Sequence, residues 1–354
     1  MPDFAIAGAD GFVGLGDDYV TAAMAWPLFL VCAVVIAFVG PRLVHYADII
    51  GWRANVTRSW IGLVLLSTAT SLPELITGVS SVTVVKAPDI AVGDVLGSCM
   101  FNLLMIVLLD ALCREKSLFV SVTQGHVLTA GFGVISIGVA GAAILSAGNG
   151  QLYALAGVGI ATPVLAMVYI GGMRTIYRYE SRQQISYVIE PEDQSVSMQR
   201  AIAGYVVMAA IIVSAAVFLP VAAVEISKLM GWGQAFVGSL FVAAATSLPE
   251  LTVTIAALRM RALDLAIANL LGSNLFNILI LAIDDVAYRE GPLLVHASNV
   301  HALTAFIAAI MSGIVIVALV SRTGHRFRGL FGWASVFLLA VYIVGVLSAY
   351  LVGQ

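Results

Sequence analysis

The stretch STATSLPELITG, residues 67–78, sits inside a long apolar run, yet it sets a carboxylate, Glu74, directly after a helix breaker, Pro73. Its core returns downstream as AATSLPELTVTI, residues 244–255, with Pro249 and Glu250 in the same places. A carboxylate and a proline together in the middle of a membrane-type run demand a reason. Their recurrence shows that the reason applies twice.

The 354-residue chain is 61% hydrophobic and 10% charged, with a mean hydropathy of +1.03. A soluble domain carries about 25% charged residues, so the chain cannot hide its apolar surface in water. Apolar runs of about 20 residues, the span of a bilayer core, recur along its length. The fold class is therefore an all-α membrane protein, and the expected surrounding is the lipid bilayer. A net charge of −3 gives no reason to expect a nucleic-acid partner, and no obligate protein partner is evident. Cys32, Cys99 and Cys113 lie in or beside apolar runs without a CxxC pair, which suggests neither a disulfide framework nor a zinc site. Residues 1–24 are acidic (Asp3, Asp10, Asp17, Asp18) and lack a basic leader region, so they do not read as a cleaved signal peptide.

The pattern predicts ten spans: 25–44, 60–84, 90–112, 119–146, 152–173, 201–224, 236–257, 264–286, 297–320 and 330–352. The longest polar gap, 174–200, divides a first five-helix repeat (25–173) from a second (201–354). Basic residues accumulate on the cytoplasmic side. With the N-terminus outside, only Lys86, Lys228 and Arg289 of the 17 Lys and Arg fall outside. The termini are expected to be extracytoplasmic, with 174–200 a cytoplasmic loop, in the plasma (inner) membrane of a prokaryote.

The two halves align beyond the opening motif. TSLPEL (70–75) matches TSLPEL (246–251), Gly62 matches Gly238, and LGSCMFNLLMI (96–106) matches LGSNLFNILIL (271–281) after one lost residue. Asp110, Arg114 and Glu115 match Asp285, Arg289 and Glu290; His126, Leu128 and Thr129 match His301, Leu303 and Thr304. Five spans per half is an odd number, so the second half is expected to enter the membrane from the opposite side. Inverted repeats of this kind characterise secondary transporters, whose sites lie near the midplane on interrupted helices.

Pro73 has no N–H to give the carbonyl of Ala69, and Pro249 none for Ala245, so helices two and seven are expected to kink there. Freed carbonyls inside a membrane are tolerated where they line a polar cavity. Thr70 and Ser71 share a helical face with Glu74, as Thr246 and Ser247 do with Glu250. In the following spans Ser98 and Asn102 share a face, as do Ser273 and Asn277. These are hard oxygen ligands, suited to calcium, which takes about 6–8 oxygens in flexible geometry. Two glutamates neutralise one divalent cation. An empty pair of carboxylates at the midplane costs about 2.5–3.5 kcal/mol each, which favours refilling by sodium ions or protons before the site reorients. Such a carrier is an exchanger. Ser and Asn also act as glue between membrane helices, and Gly97 and Gly272 are read as close-packing residues.

On TSLPE (70–74 and 246–250) and GS-x-x-x-N (97–102 and 272–277) the chain resembles the sodium/calcium exchanger family of the cation/calcium antiporter superfamily. The resemblance implies that Glu74 and Glu250 bind calcium and sodium as transported ions, with no organic cofactor and no enzymatic activity. It implies that Thr70, Ser71, Ser98, Thr246, Ser247 and Ser273 line the ion sites, with the backbone oxygens of Ser67 and Ala243. It also implies that spans one and six slide across the remaining bundle. Two departures stand out: Asn277 replaces an acidic residue common in sodium-coupled members, and Cys99 replaces the usual asparagine of GSN. A third is Asp94, one turn before Ser98, whose repeat partner is the neutral Asn269. It is read either as an outer cation-attracting charge or as a helix-packing residue. Asp110, Asp285, His126 and His301 are expected at the interfaces. A calcium/proton antiporter on the same scaffold is the nearest alternative. A channel fits the repeat less well, and an intramembrane aspartyl protease leaves the duplicated SLPE unexplained.

Overall fold

Backbone in lipid must satisfy its own N–H and C=O groups, so apolar runs become helices. A computed structural model describes residues 22–53, 67–113, 117–148, 154–155, 157–183, 195–322, 326–327 and 331–352. We number the main helices α1 (Ala22–Arg53), α2 (Leu72–Thr83), α3 (Pro88–Leu112), α4 (His126–Gly148), α5 (Ala161–Gln183) and α6 (Met198–Met230). They continue as α7 (Gln234–Thr246), α8 (Leu248–Arg259), α9 (Leu263–Ala287), α10 (Val300–Ser321) and α11 (Trp333–Val352). Two antiparallel two-residue ladders, Ala154–Leu155 with Val158–Gly159 and Arg326–Phe327 with Phe331–Gly332, precede α5 and α11.

Among the described residues, seven helices are long and apolar enough to cross a bilayer, and the bent pair α7–α8 makes an eighth. The protein is an integral membrane protein. The expected second span begins at 60, and its residues 60–66 lie outside the described set, as do Gly62 and residues 1–21 of the acidic N-terminal segment. The expected fifth span, 152–173, overlaps α5, which begins later, runs to Gln183 and is not among the seven helices that pass as long and apolar enough to cross a bilayer. Arg, Gln and Glu in that extension are good helix formers, so the change from apolar to polar ends the membrane pattern without ending the helix.

Two helices form the middle of the bundle. The most apolar stretch of α9 is 89% buried and that of α3 is 72% buried, against 28% for α1 and 22% for α11. Exposed Val344, Leu347 and Leu351 show that α11 presents an apolar face to its surroundings. Small residues permit the central contacts. A Cβ on Gly97 would come within 2.2 Å of the Ser239 carbonyl oxygen, and one on Gly93 within 3.0 Å of the Ser239 nitrogen. Both meet a π-helical turn at Gly238–Val242 within α7. Gly97 is therefore a close-packing residue, as its sequence position suggested. Helices α1 and α6 pack mainly on each other, with Gly204 against the Tyr46 ring.

Four acidic residues expected or placed near helix ends turn out to be structural clasps. Asp110 accepts hydrogen bonds from Leu118 N (3.2 Å), Gly332 N (2.7 Å) and Ser335 Oγ (2.6 Å). Its repeat mate Asp285 accepts from Leu293 N (2.6 Å), Gly159 N (2.9 Å) and Thr162 Oγ1. Each aspartate thus holds the ladder and helix start of the other half. His126 lies 2.9 Å from Asp264, and His301 lies 3.0 Å from Asp89. Asp110, Asp285, His126 and His301, expected at the interfaces, are all buried inside the protein. A buried polar group must be partnered, and partners reached across the halves were not readable from one span at a time.

Removing the Asp110 carboxylate strands three donors. Asp110→Ala should cost roughly 3 kcal/mol, read as a lower unfolding midpoint of the detergent-purified protein. Asp110→Asn, which keeps one acceptor, should lose less. Equal midpoints for wild type and Asp110→Ala would refute the clasp.

Candidate ion site

The chain breaks at the same place in both motifs. Residues 67–70 are helical, Ser71 leaves helical geometry (φ −88°, ψ 15°), and α2 restarts at Leu72 with Pro73 in its first turn. Ser247 does the same (φ −82°, ψ 10°) between α7 and α8, whose axes meet at 44°. Proline suits a first turn because its missing N–H has no helical acceptor there. The break aims the hydroxyls before it and the glutamate after it toward one region.

All eleven residues singled out from the sequence (Thr70, Ser71, Glu74, Asp94, Ser98, Asn102, Thr246, Ser247, Glu250, Ser273 and Asn277) are fully enclosed. Nine of them form two small networks of the same design. In one, Glu250 Oε1 accepts from Ser71 Oγ (3.0 Å) and Ser273 Oγ (3.3 Å), and Thr70 Oγ1 lies 3.3 Å from Ser273 Oγ. In the other, Glu74 Oε1 accepts from Ser247 Oγ (3.1 Å), which lies 3.1 Å from Ser98 Oγ, and Ser98 lies 3.5 Å from Thr246 Oγ1. Each glutamate is therefore held by a serine from the opposite motif. The second oxygen of each, Glu74 Oε2 and Glu250 Oε2, has no hydrogen-bond partner.

Asp94 belongs to the second network. Its Oδ1 accepts from Thr246 Oγ1 (2.9 Å) and, at longer range, Ser98 Oγ (3.5 Å), while Oδ2 has no partner. Glu74 interacts electrostatically with both Glu250 and Asp94. Asn102 and Asn277 stand apart from the glutamate networks. Asn102 Nδ2 donates to Asn274 Oδ1 (3.0 Å), and the Asn277 amide makes no well-formed hydrogen bond of its own. The Ser67 carbonyl accepts from Ser71 N (2.9 Å) and Thr70 Oγ1 (3.1 Å), and the Ala243 carbonyl accepts from Ser247 N (3.1 Å) with Thr246 Oγ1 3.3 Å away. For the Ser67 carbonyl to face an ion, the Thr70 hydroxyl must turn away.

Two site neighbours escaped the sequence reading. Asn274 Nδ2 donates to the Cys99 carbonyl (3.2 Å), and Cys99 Sγ approaches the Asn274 carbonyl (3.7 Å), which stitches α3 to α9 at their crossing. Its signal was present, since Asn274 occupies the GSN position matched by Cys99. Asp284 is fully buried with both carboxylate oxygens unpartnered, and its repeat mate, Leu109, gave no signal.

Among the described residues no three His, Cys, Asp or Glu side chains converge into a metal-holding group. The enclosed oxygens are instead a mixture of two glutamates, an aspartate, hydroxyls and amides. Hard, oxygen-seeking cations accept such mixtures; zinc prefers nitrogen and sulfur. Cys99, enclosed at this crossing, reports on the seal. In a Cys32→Ala, Cys113→Ala background it should resist maleimide in the folded protein and react once denaturant is added. Labelling within minutes in the folded protein would show that the site is open.

The family description "Sodium/calcium exchanger protein" matches residues 24–171 and 200–351. Inner membrane protein YrbG of Escherichia coli K12 is 27% identical over 298 residues, covering 79% of this chain and 88% of that protein. Sodium/calcium exchanger MaX1 of Methanosarcina acetivorans is 32% identical over 136 residues, covering 38% and 36%. A solved structure of the sodium-calcium exchanger NCX_Mj, soaked with Na+ and Sr2+, shares the fold with a TM-score of 0.61 at 22% identity, covering 93% of this chain and 99% of that one. With its family match spanning both SLPE motifs and both GS-x-x-x-N motifs, the chain belongs to the sodium/calcium exchanger protein family.

Proposed function

We propose that the protein exchanges sodium for calcium across a membrane by alternating access, through one midplane site built from both halves. The observation that carries this reading is the reciprocal pair of bonds, Ser71 to Glu250 and Ser247 to Glu74. Neither half has a complete site alone. Glu74 and Glu250 supply the charge that a divalent cation balances, and Thr70, Ser71, Ser98, Thr246, Ser247 and Ser273 supply neutral oxygens. Their unpartnered Oε2 atoms are the ones free to ligate. Asn102 and Asn277 border the site as polar neighbours, and Asp94 adds a third carboxylate on one side of it.

In this reading the halves 25–173 and 201–354 are inverted five-helix repeats in a ten-span bundle kinked at Pro73 and Pro249. Residues 1–24 and the C-terminus lie outside, and 174–200 lies in the cytoplasm of a prokaryotic cell bounded by its inner membrane. The matched clasps at Asp110 and Asp285, and the matched pairs His126–Asp264 and His301–Asp89, support a pseudo-two-fold relation. The names of MaX1 and NCX_Mj support sodium and calcium as the cargo.

Asn277 favours a second reading, a calcium/proton antiporter. A neutral amide at that position leaves fewer charges to hold several sodium ions, and protons need only the carboxylates.

The test is radiocalcium uptake into proteoliposomes with either an outward sodium gradient or an outward proton gradient. Sodium-driven uptake in wild type, falling to protein-free background in Glu250→Gln, is the expected result. Uptake driven only by protons would move the protein to the second reading. Uptake in neither would leave calcium wrong.

A further inference from the structure

The pairing of the halves gives a standard for judging each polar residue. Clasps, histidine pairs, serines and glutamates all occur twice. Among the described residues two buried carboxylates do not: Asp94 is matched by Asn269, and Asp284 by Leu109.

Both lie on the same side of the central site. Lys86, just before α3, pairs with Glu290, just after α9, at 2.7 Å. Asp89, in the first turn of α3, accepts from Ser298 N at 2.6 Å. The start of α3 and the end of α9 therefore share one end of the bundle. Asp94 is one turn from Ser98 toward that end, and Asp284 is two turns from Asn277 toward it. The basic-residue asymmetry makes that end extracytoplasmic.

Asp284 is not a clasp. Its neighbour Asp285 has its carboxylate engaged by three donors, whereas both oxygens of Asp284 are buried without one. Gly78 makes room for it: a Cβ there would come within 2.4 Å of Asp284 Oδ2. Gly78 lies one turn beyond Glu74 on the same face of α2, so the Asp284 carboxylate stands next in line after Glu74. Asp284 also interacts electrostatically with Asp94. Unpartnered oxygens at Asp284, Asp94 and Glu74 thus lead from the extracytoplasmic end to the centre. A buried carboxylate without a partner is costly in a membrane, and such groups mark ion pathways.

The geometry points to Asp284, together with Asp94, as a one-sided cation station on the extracytoplasmic approach to the central site. It takes a hard cation of the kind carried, and it rests on the exchanger reading and topology above. The corresponding positions on the cytoplasmic approach hold Leu109 and Asn269 and so carry no carboxylate. The two faces therefore differ in their affinity for the same ion. In this structure the station is enclosed, so it fills only when the outer approach opens.

The test compares calcium-45 uptake by right-side-out and inverted membrane vesicles from expressing cells. The variants are Asp284→Asn, which keeps the shape, and Asp284→Leu, which copies the repeat mate. Charge-lined clefts raise local counter-ion concentration by about tenfold or more, so each variant should raise the half-saturating calcium concentration about tenfold at the extracytoplasmic face. The half-saturating concentration at the cytoplasmic face should stay as in wild type. An equal shift at both faces, a shift at the cytoplasmic face alone, or no shift would overturn the station. If wild-type vesicles transport no calcium from either face, the cargo assignment fails separately. The same comparison run with sodium-22 then decides the station.

Discussion

A carboxylate enclosed in the middle of a membrane protein must be compensated, and the rest of this structure follows from how that is done. Glu74 and Glu250 each receive a hydroxyl hydrogen bond on one oxygen and keep the other unpartnered. The bonds come from the opposite motif, so the two interrupted helices must face each other at close range. That approach sets the demands on the neighbours. Helices α3 and α9 must run through the centre, glycines must line the crossings, and the chain must break just before each proline. A half-satisfied carboxylate is also a poised one. It is held in place by one oxygen and available through the other.

Much of this was legible in the sequence because it was written twice. The repeat exposed Glu74 and Glu250, helical spacing placed Ser71 and Ser247 on their faces, and Ser98 and Ser273 were added by the family resemblance. Which serine serves which glutamate was not legible, since that depends on how two separated helices dock. The histidines show the same limit. His126 and His301 lie near predicted span ends and read as interfacial, yet each is buried against an aspartate about 138 or 212 residues away. A signal for them existed, because Asp89 and Asp264 are also repeat mates. Asp284 had no such signal, as a leucine stands opposite it in the alignment. The length of α5 was missed for a different reason. Hydropathy reports where lipid ends, whereas propensity decides where a helix ends.

The π-helical turn at Gly238–Val242 is a local irregularity with a positional effect. It widens α7 where Gly93 and Gly97 bring the α3 backbone into contact, and it lies just before the motif break at Ser247. Such turns recur at functional sites. Here the turn lets one helix carry both a tight backbone contact and, one turn later, the hydroxyls of the site. The corresponding stretch of the first motif falls outside the described residues.

The clasps have a consequence for how the molecule is held together as a whole. Asp110 of the first half grips Gly332 and Ser335 of the second, and Asp285 of the second grips Gly159 and Thr162 of the first. Each half lends an anchor and receives one, so the grip is mutual, like two clasped hands. All of these residues lie away from the segment that joins the halves in the chain. Each clasp therefore ties two distant stretches of the chain together without drawing on the segment that joins them.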